Sequence, residues 1–132
     1  MTKGDWLDLT VLERKKYNFL SETLDLSQQM GEAMDRNDQV SLRMLVAMRQ
    51  DPILGLEEVK RAIDMKLVSL LPEERERVFA LGGGTGEPRE EEERGYFNQA
   101  GSARRLLERV VELDRRLNRR VAGDGSFYAK EE

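Results

Sequence analysis

Between Leu9 and Ala33 the positions Leu9, Leu12, Lys16, Phe19, Thr23, Leu26, Met30 and Ala33 recur at alternating intervals of three and four, the spacing of a helical seam that faces another helix. Six of these eight are apolar, and Leu20 and Leu24 widen the stripe, while Glu13, Arg14, Lys15, Glu22 and Asp25 fall largely elsewhere. A core-facing helix in a bundle has this pattern. It predicts a long first helix over residues 5–36, whose seam from Leu9 to Ala33 spans about 40 Å at 1.5 Å per residue.

Arg36-Asn37-Asp38 ends that stretch, because two poor helix formers coincide there and Asp38 can accept backbone N–H bonds as the cap of a new helix. The second stretch, residues 38–71, places Leu42, Leu45, Met48, Leu56, Val59, Ile63, Leu67 and Leu70 on or near one face and stops at Leu71-Pro72. Antiparallel return along the first helix is its simplest packing. Pro52 interrupts it, so a kink near Pro52 is expected, the other outcome being a separate helix capped by Asp51. Pro72 and the acidic residues after it can open a short further helix.

Residues 82–88 hold four glycines and a proline, which predicts a flexible loop. In residues 90–97 helix is plausible, but Gly95 and Gly101 leave its continuity in question. The last strong element, residues 102–122, carries Ala103, Leu106, Val110, Leu113 and Leu117 at three-four spacing, flanked by Leu107, Val111 and Val121. Gly123 caps it, and residues 123–132 read as a flexible tail. The fold class expected is all-α: a long antiparallel, coiled-coil-like hairpin with a third, C-terminal helix packed on it, a three-helix bundle in a single domain.

Composition narrows the chemistry. The 132 residues include no cysteine and no histidine, which removes disulfides, thiolate and imidazole catalysis and the usual zinc or iron ligands. We expect no enzyme, no cofactor and no metal, and nominate no catalytic residue. Gly82-Gly83-Gly84-Thr85-Gly86 lacks the Lys-Ser or Lys-Thr of a phosphate loop, and Val40 stands where a calcium loop starting at Asp35 needs glycine. Glu90 to Glu93 spread around a helix axis and so do not converge on one ion. No stretch approaches the roughly 20 apolar residues that span a bilayer, and the N-terminus lacks the pattern of a signal peptide, so no membrane insertion and a cytoplasmic location are expected.

The third helix sets seven arginines against three carboxylates, a local balance of +4 in a chain of net charge −4. Nucleic acid is nonetheless disfavoured: Arg104-Glu108 and Glu112-Arg116 are spaced to pair within the helix, and no aromatics interleave as base-stacking platforms. The broad apolar supply of this helix points to protein binding. The candidate partner-binding residues are Leu106, Leu107, Val110, Val111, Leu113, Leu117 and Val121, with Phe127 and Tyr128 in the tail.

Three stretches, ERKKYNFLSETLDLSQQMGEAMDRNDQVSLRMLVAMRQ, LLPEERERVFAL and LLERVVELDRRLNRRV, resemble the flagellar export chaperones of the FlgN type over most of residues 10–121. The likeness lies in a long amphipathic helix ending in an Asn-Asp turn, a Leu-rich second helix bearing Arg-Gln, and an asparagine in the closing helix. Pro52 and the glycines at 82–86 depart from that pattern. The resemblance implies a cytoplasmic chaperone that binds the helical C-terminal segments of hook-filament junction proteins, prevents their premature assembly and delivers them to the export machinery, without enzyme activity. The alternative is a homo-oligomeric coiled-coil structural or adaptor protein, with a nucleic-acid-associated regulatory factor behind it.

Overall fold

The computed structural model describes residues 1–123, and all regular structure among them is helical. Helix α1, Lys3–Asp35, opens with Thr2, whose hydroxyl accepts the Asp5 N–H at 3.1 Å while the Asp5 carboxylate accepts the Thr2 N–H at 2.9 Å. This reciprocal cap satisfies donors that a helix start leaves open. At its end Asn37 takes the left-handed conformation, φ 55°, which asparagine tolerates. The chain then reverses, with the Asp38 N–H bonded to the Ala33 carbonyl at 2.9 Å.

The return arm is two helices, α2 at Gln39–Met48 and α3 at Gln50–Val68. Asp38 caps α2, its carboxylate accepting the Ser41 N–H at 3.0 Å. The interruption falls at Arg49, three residues ahead of Pro52. A proline ring collides with the carbonyl four residues earlier, here Met48, so the break sits upstream of Pro52. Pro52 then occupies the first turn of α3, where its missing N–H costs nothing.

Along α1, Leu26, Met30 and Ala33 pack on Leu42 and Leu45 of α2. Lower down, Gly55 of α3 lies under the Phe19 ring, so that a Cβ there would stand 2.5 Å from it. At the far end Lys66 bridges back to α1, its ammonium 2.7 Å from Asp5 and 3.1 Å from Asp8. The Lys66 charge and the Thr2 amide hold the Asp5 carboxyl down at about 2.

Helix α4, Pro72–Gly82, is started by Pro72 and by Glu74, whose carboxylate accepts the Leu71 N–H at 2.8 Å. It ends through Gly84, φ 79°, a left-handed residue that a side chain would strain. Helix α5 runs unbroken over Glu91–Gly123, eleven residues longer at its start than the expected 102–122. Two interior glycines cost about 1 kcal/mol each relative to alanine, and tertiary contacts offset that cost. Tyr96 is buried with its ring 5.4 Å from Trp6, and Ala100, Gly101 and Ala103 are buried too. Three glutamates in the first turn, Glu91 to Glu93, favour the positive end of the helix dipole.

Helix α5 lies parallel to α1. Lys3 faces Glu92, Trp6 meets Tyr96, Ser27 bonds Asp114 and Arg120 reaches Gly31 and Asp35. The sequence separation of these pairs stays near 85 to 90 residues from end to end, so one register holds along the whole pair. Helix α1 is thus central, with the return arm on one flank and α5 on the other. Helix α4 plugs the lower end through Val78 and Leu81, which join Trp6, Leu9, Leu67, Leu70, Tyr96 and Ala100 in one cluster.

One charge sits inside this interface. Glu13 is 8% exposed; burial pushes its carboxyl up from the ordinary 4.5, with Lys16 opposing. Burial, and the nearby Glu13 charge, also push the Tyr96 phenol up. A carboxyl whose folded-state pKa is raised favours folding when protonated, so its penalty is absent below about 4.5 and grows as pH rises through the higher folded value. Glu13→Gln is therefore expected to raise the thermal midpoint at pH 7 by roughly 2–5 °C, a gain that shrinks towards zero by about pH 4 in melts across that range. Gly55→Val, which drives two methyl groups into Phe19, is expected to lower stability by about 1–3 kcal/mol in urea titrations.

Candidate partner-binding cleft

Helix α5 carries two neighbouring stripes. The first, Ala103, Leu106, Val110, Leu113 and Leu117, faces α1: Leu106 and Val110 pack on Leu20 and Leu24, and Leu117 packs on Leu26 and Met30. The residues expected to bind a partner thus divide between the two stripes. Leu106, Val110 and Leu117 are each 6% exposed or less and Leu113 is half-buried, because α1 itself occupies them.

The second stripe, Leu107, Val111, Asp114, Asn118 and Val121, has the same three-four spacing, displaced around the helix. Leu107 and Val111 are both 38% exposed. Asp114, Asn118 and Val121 continue the stripe into a cleft of about 220 Å³. Phe127 and Tyr128 lie outside the described residues.

The cleft forms where the end of α1, the α2/α3 break and the last turns of α5 converge. Met30 and Met34 line it from α1, Leu42, Val46 and Ile53 from the return arm, and Leu117 and Val121 from α5. Arg49 and Gln50 enter from the break, facing Asp114 and Asn118. Arg49, at the junction between α2 and α3, keeps a helical backbone, φ −63° and ψ −21°, and supplies a cleft wall.

Arg49 donates to the Asp114 carboxylate at 3.1 Å and to the Met30 sulfur at 3.8 Å, and the Ser27 hydroxyl donates to the other Asp114 oxygen at 3.4 Å. The Arg49 Nε is buried without a hydrogen-bond partner. With side chains 18% and 31% exposed, the pair is half-sheltered from water. Around it the cleft offers adaptable thioethers, branched aliphatic groups, one guanidinium and the amides of Gln50 and Asn118. Such a set grips an apolar side chain while hydrogen-bonding the backbone or polar edge beside it.

The arginines of α5 are partly committed within the molecule. Arg104 donates to the Gly82 carbonyl at 2.6 Å, Arg120 pairs with Asp35 at 2.7 Å and Arg116 lies 4.0 Å from Glu112. Among the described residues no helix is long and apolar enough to cross a membrane.

Sequence periodicity picked out Leu107, Val111 and Val121 but missed Arg49, Gln50, Asp114 and Asn118. The one available signal was Pro52, which demands a break nearby. No family model, no curated protein and no solved structure matches this chain.

Removing one member of the Arg49–Asp114 pair strands the other in a half-buried place. Asp114→Ala is expected to cost about 1–3 kcal/mol, read by chemical denaturation. The double variant Arg49→Met/Asp114→Leu, which removes both charges, should recover most of that loss.

Proposed function

We propose that this chain is a protein-binding chaperone or adaptor that receives an amphipathic helix of its partner along the second stripe of α5, with the leading side chains seated in the cleft. The observation that carries this reading is the continuity of Leu107 and Val111 with the cleft at Asp114, Asn118 and Val121. Helix-in-groove recognition uses anchors at such three-four spacing. The methionines Met30 and Met34 suit a surface that adapts to its guest.

The more specific reading is a flagellar export chaperone that holds the helical C-terminal segments of hook-filament junction proteins in the cytoplasm and passes them to the export machinery. It rests on the resemblance of three sequence stretches to the FlgN type.

Co-expression with hook-filament junction subunits is expected to give a complex that survives gel filtration, and Leu107→Glu/Val111→Glu to weaken it at least tenfold with an unchanged circular dichroism spectrum. A complex indifferent to that double substitution would rule out the second stripe. Failure of every such subunit to co-purify would remove the flagellar assignment while leaving helix binding open to other amphipathic partners.

A further inference from the structure

Val121, the last residue of α5 to line the cleft, stands two positions before Gly123, where the described residues end. The nine residues that follow, 124–132, therefore leave α5 at the lip of the cleft. Their large apolar side chains are concentrated in one place, Phe127-Tyr128, four residues beyond Gly123. Gly123 and Gly125, on either side of Asp124, give the connection the backbone freedom that a reversal of direction needs.

We propose that this tail folds back over the cleft of its own chain and seats the Phe127 ring in it. Three observations favour the tail as the occupant. The first is reach. Four residues span up to about 14 Å, whereas the cleft-lining stretch of α5 from Asp114 to Val121 rises only about 10 Å. The second is fit. A dry cavity of about 150 Å³ holds one benzene ring, and the cleft, at about 220 Å³, has room for one phenyl group but not for two aromatic rings. Met30 and Met34 offer sulfur to that ring, and the Arg49 guanidinium, held by Asp114, offers a cation. Successive side chains of an extended chain point to opposite sides, so Phe127 enters while the Tyr128 hydroxyl stays in water.

The third is concentration. A tether this short holds the tail near the cleft at an effective concentration in the millimolar range, so even a contact that would dissociate at about 1 mM between separate molecules is half-filled or more within one. Charge does not oppose the placement. Asp124, Glu131 and Glu132 outnumber Lys130 in the tail, and from Asp114 onward α5 carries four arginines against one carboxylate, Arg120 alone of the four being paired with Asp35. On the partner-binding reading of the cleft, an incoming helix must displace Phe127 before it can seat its own side chains. That consequence rests on the reading above, whereas the docking of the tail does not.

Methyl NMR spectra of the full chain, labelled at its methionines, test this. An aromatic ring shifts only methyl groups in its immediate neighbourhood, so Phe127→Ser is expected to move the Met30 and Met34 signals and to leave Met65, at the far end of α3, in place. Tyr128→Ser should move them much less. A peptide of residues 124–132, added at millimolar concentration to the Phe127→Ser chain, should return both signals towards their original positions, and the spectrum of the unaltered chain should be the same from about 20 to about 500 µM. Met30 and Met34 signals that ignore Phe127→Ser, or a peptide without effect on them, overturn the proposal. Signals that change with chain concentration give the cleft to the tail of a second copy and overturn it too. An equal effect of Tyr128→Ser overturns the seating of Phe127. None of these results bears on client binding, which the Leu107/Val111 substitutions test separately.

Discussion

Helix α1 is buried along two faces at once, and the rest of the structure follows from what those faces require. The two adjoin: Leu26, Met30 and Ala33 meet Leu42 and Leu45 of α2 and Leu117 of α5 together, Leu20 and Leu24 meet Leu106 and Val110 of α5 with Leu56 of α3 beside them, and Trp6 meets α3, α4 and α5 at the lower end. A helix with two apolar faces is unstable alone in water, and most helical stability in proteins comes from such packing. The parallel setting of α5 adds a second demand, since the chain must travel back down before it can run up again. The return arm and α4 meet that demand, and each is held at the lower end by polar anchors: Lys66 on Asp5 and Asp8, Arg75 on the carbonyls that end α3.

This architecture divides the molecule by stability. The lower end is cross-braced by the Trp6–Tyr96 pair, the α4 plug and several ion pairs. At the upper end three helix segments converge without filling the space between them, and the cleft is what remains. Its principal polar feature, Arg49 with Asp114, joins the α2/α3 junction to α5 and leaves one guanidinium N–H buried without an acceptor. Binding sites tend to sit where packing is incomplete and polar groups converge.

Much of the helical content was readable from residue order. The three-four seam in residues 9–33 becomes the buried stripe of α1, and Asp38 caps α2. What escaped had physical reasons. The first eleven residues of α5 contain Gly95 in a polar stretch, which local propensity penalises, and only the docking of Tyr96 on Trp6 shows why the helix continues. Two adjacent stripes on α5 look alike in sequence, yet α1 covers the one with Leu106, Val110 and Leu117 and leaves Leu107 and Val111 at the surface. Arg49, Asp114 and Asn118 are polar and so gave no apolar periodicity, and a cleft assembled from three segments exists only after they pack.

The central claim is that α5 runs parallel to α1 in one register. Distances between spin labels measure this directly, and the absence of native cysteine makes labelling clean. A Lys3→Cys/Glu91→Cys pair should give a short, narrow distance, whereas Lys3→Cys/Arg119→Cys should give one of about 40 Å, the rise of 28 further helical residues. The reverse order, or two broad and similar distributions, would contradict the account.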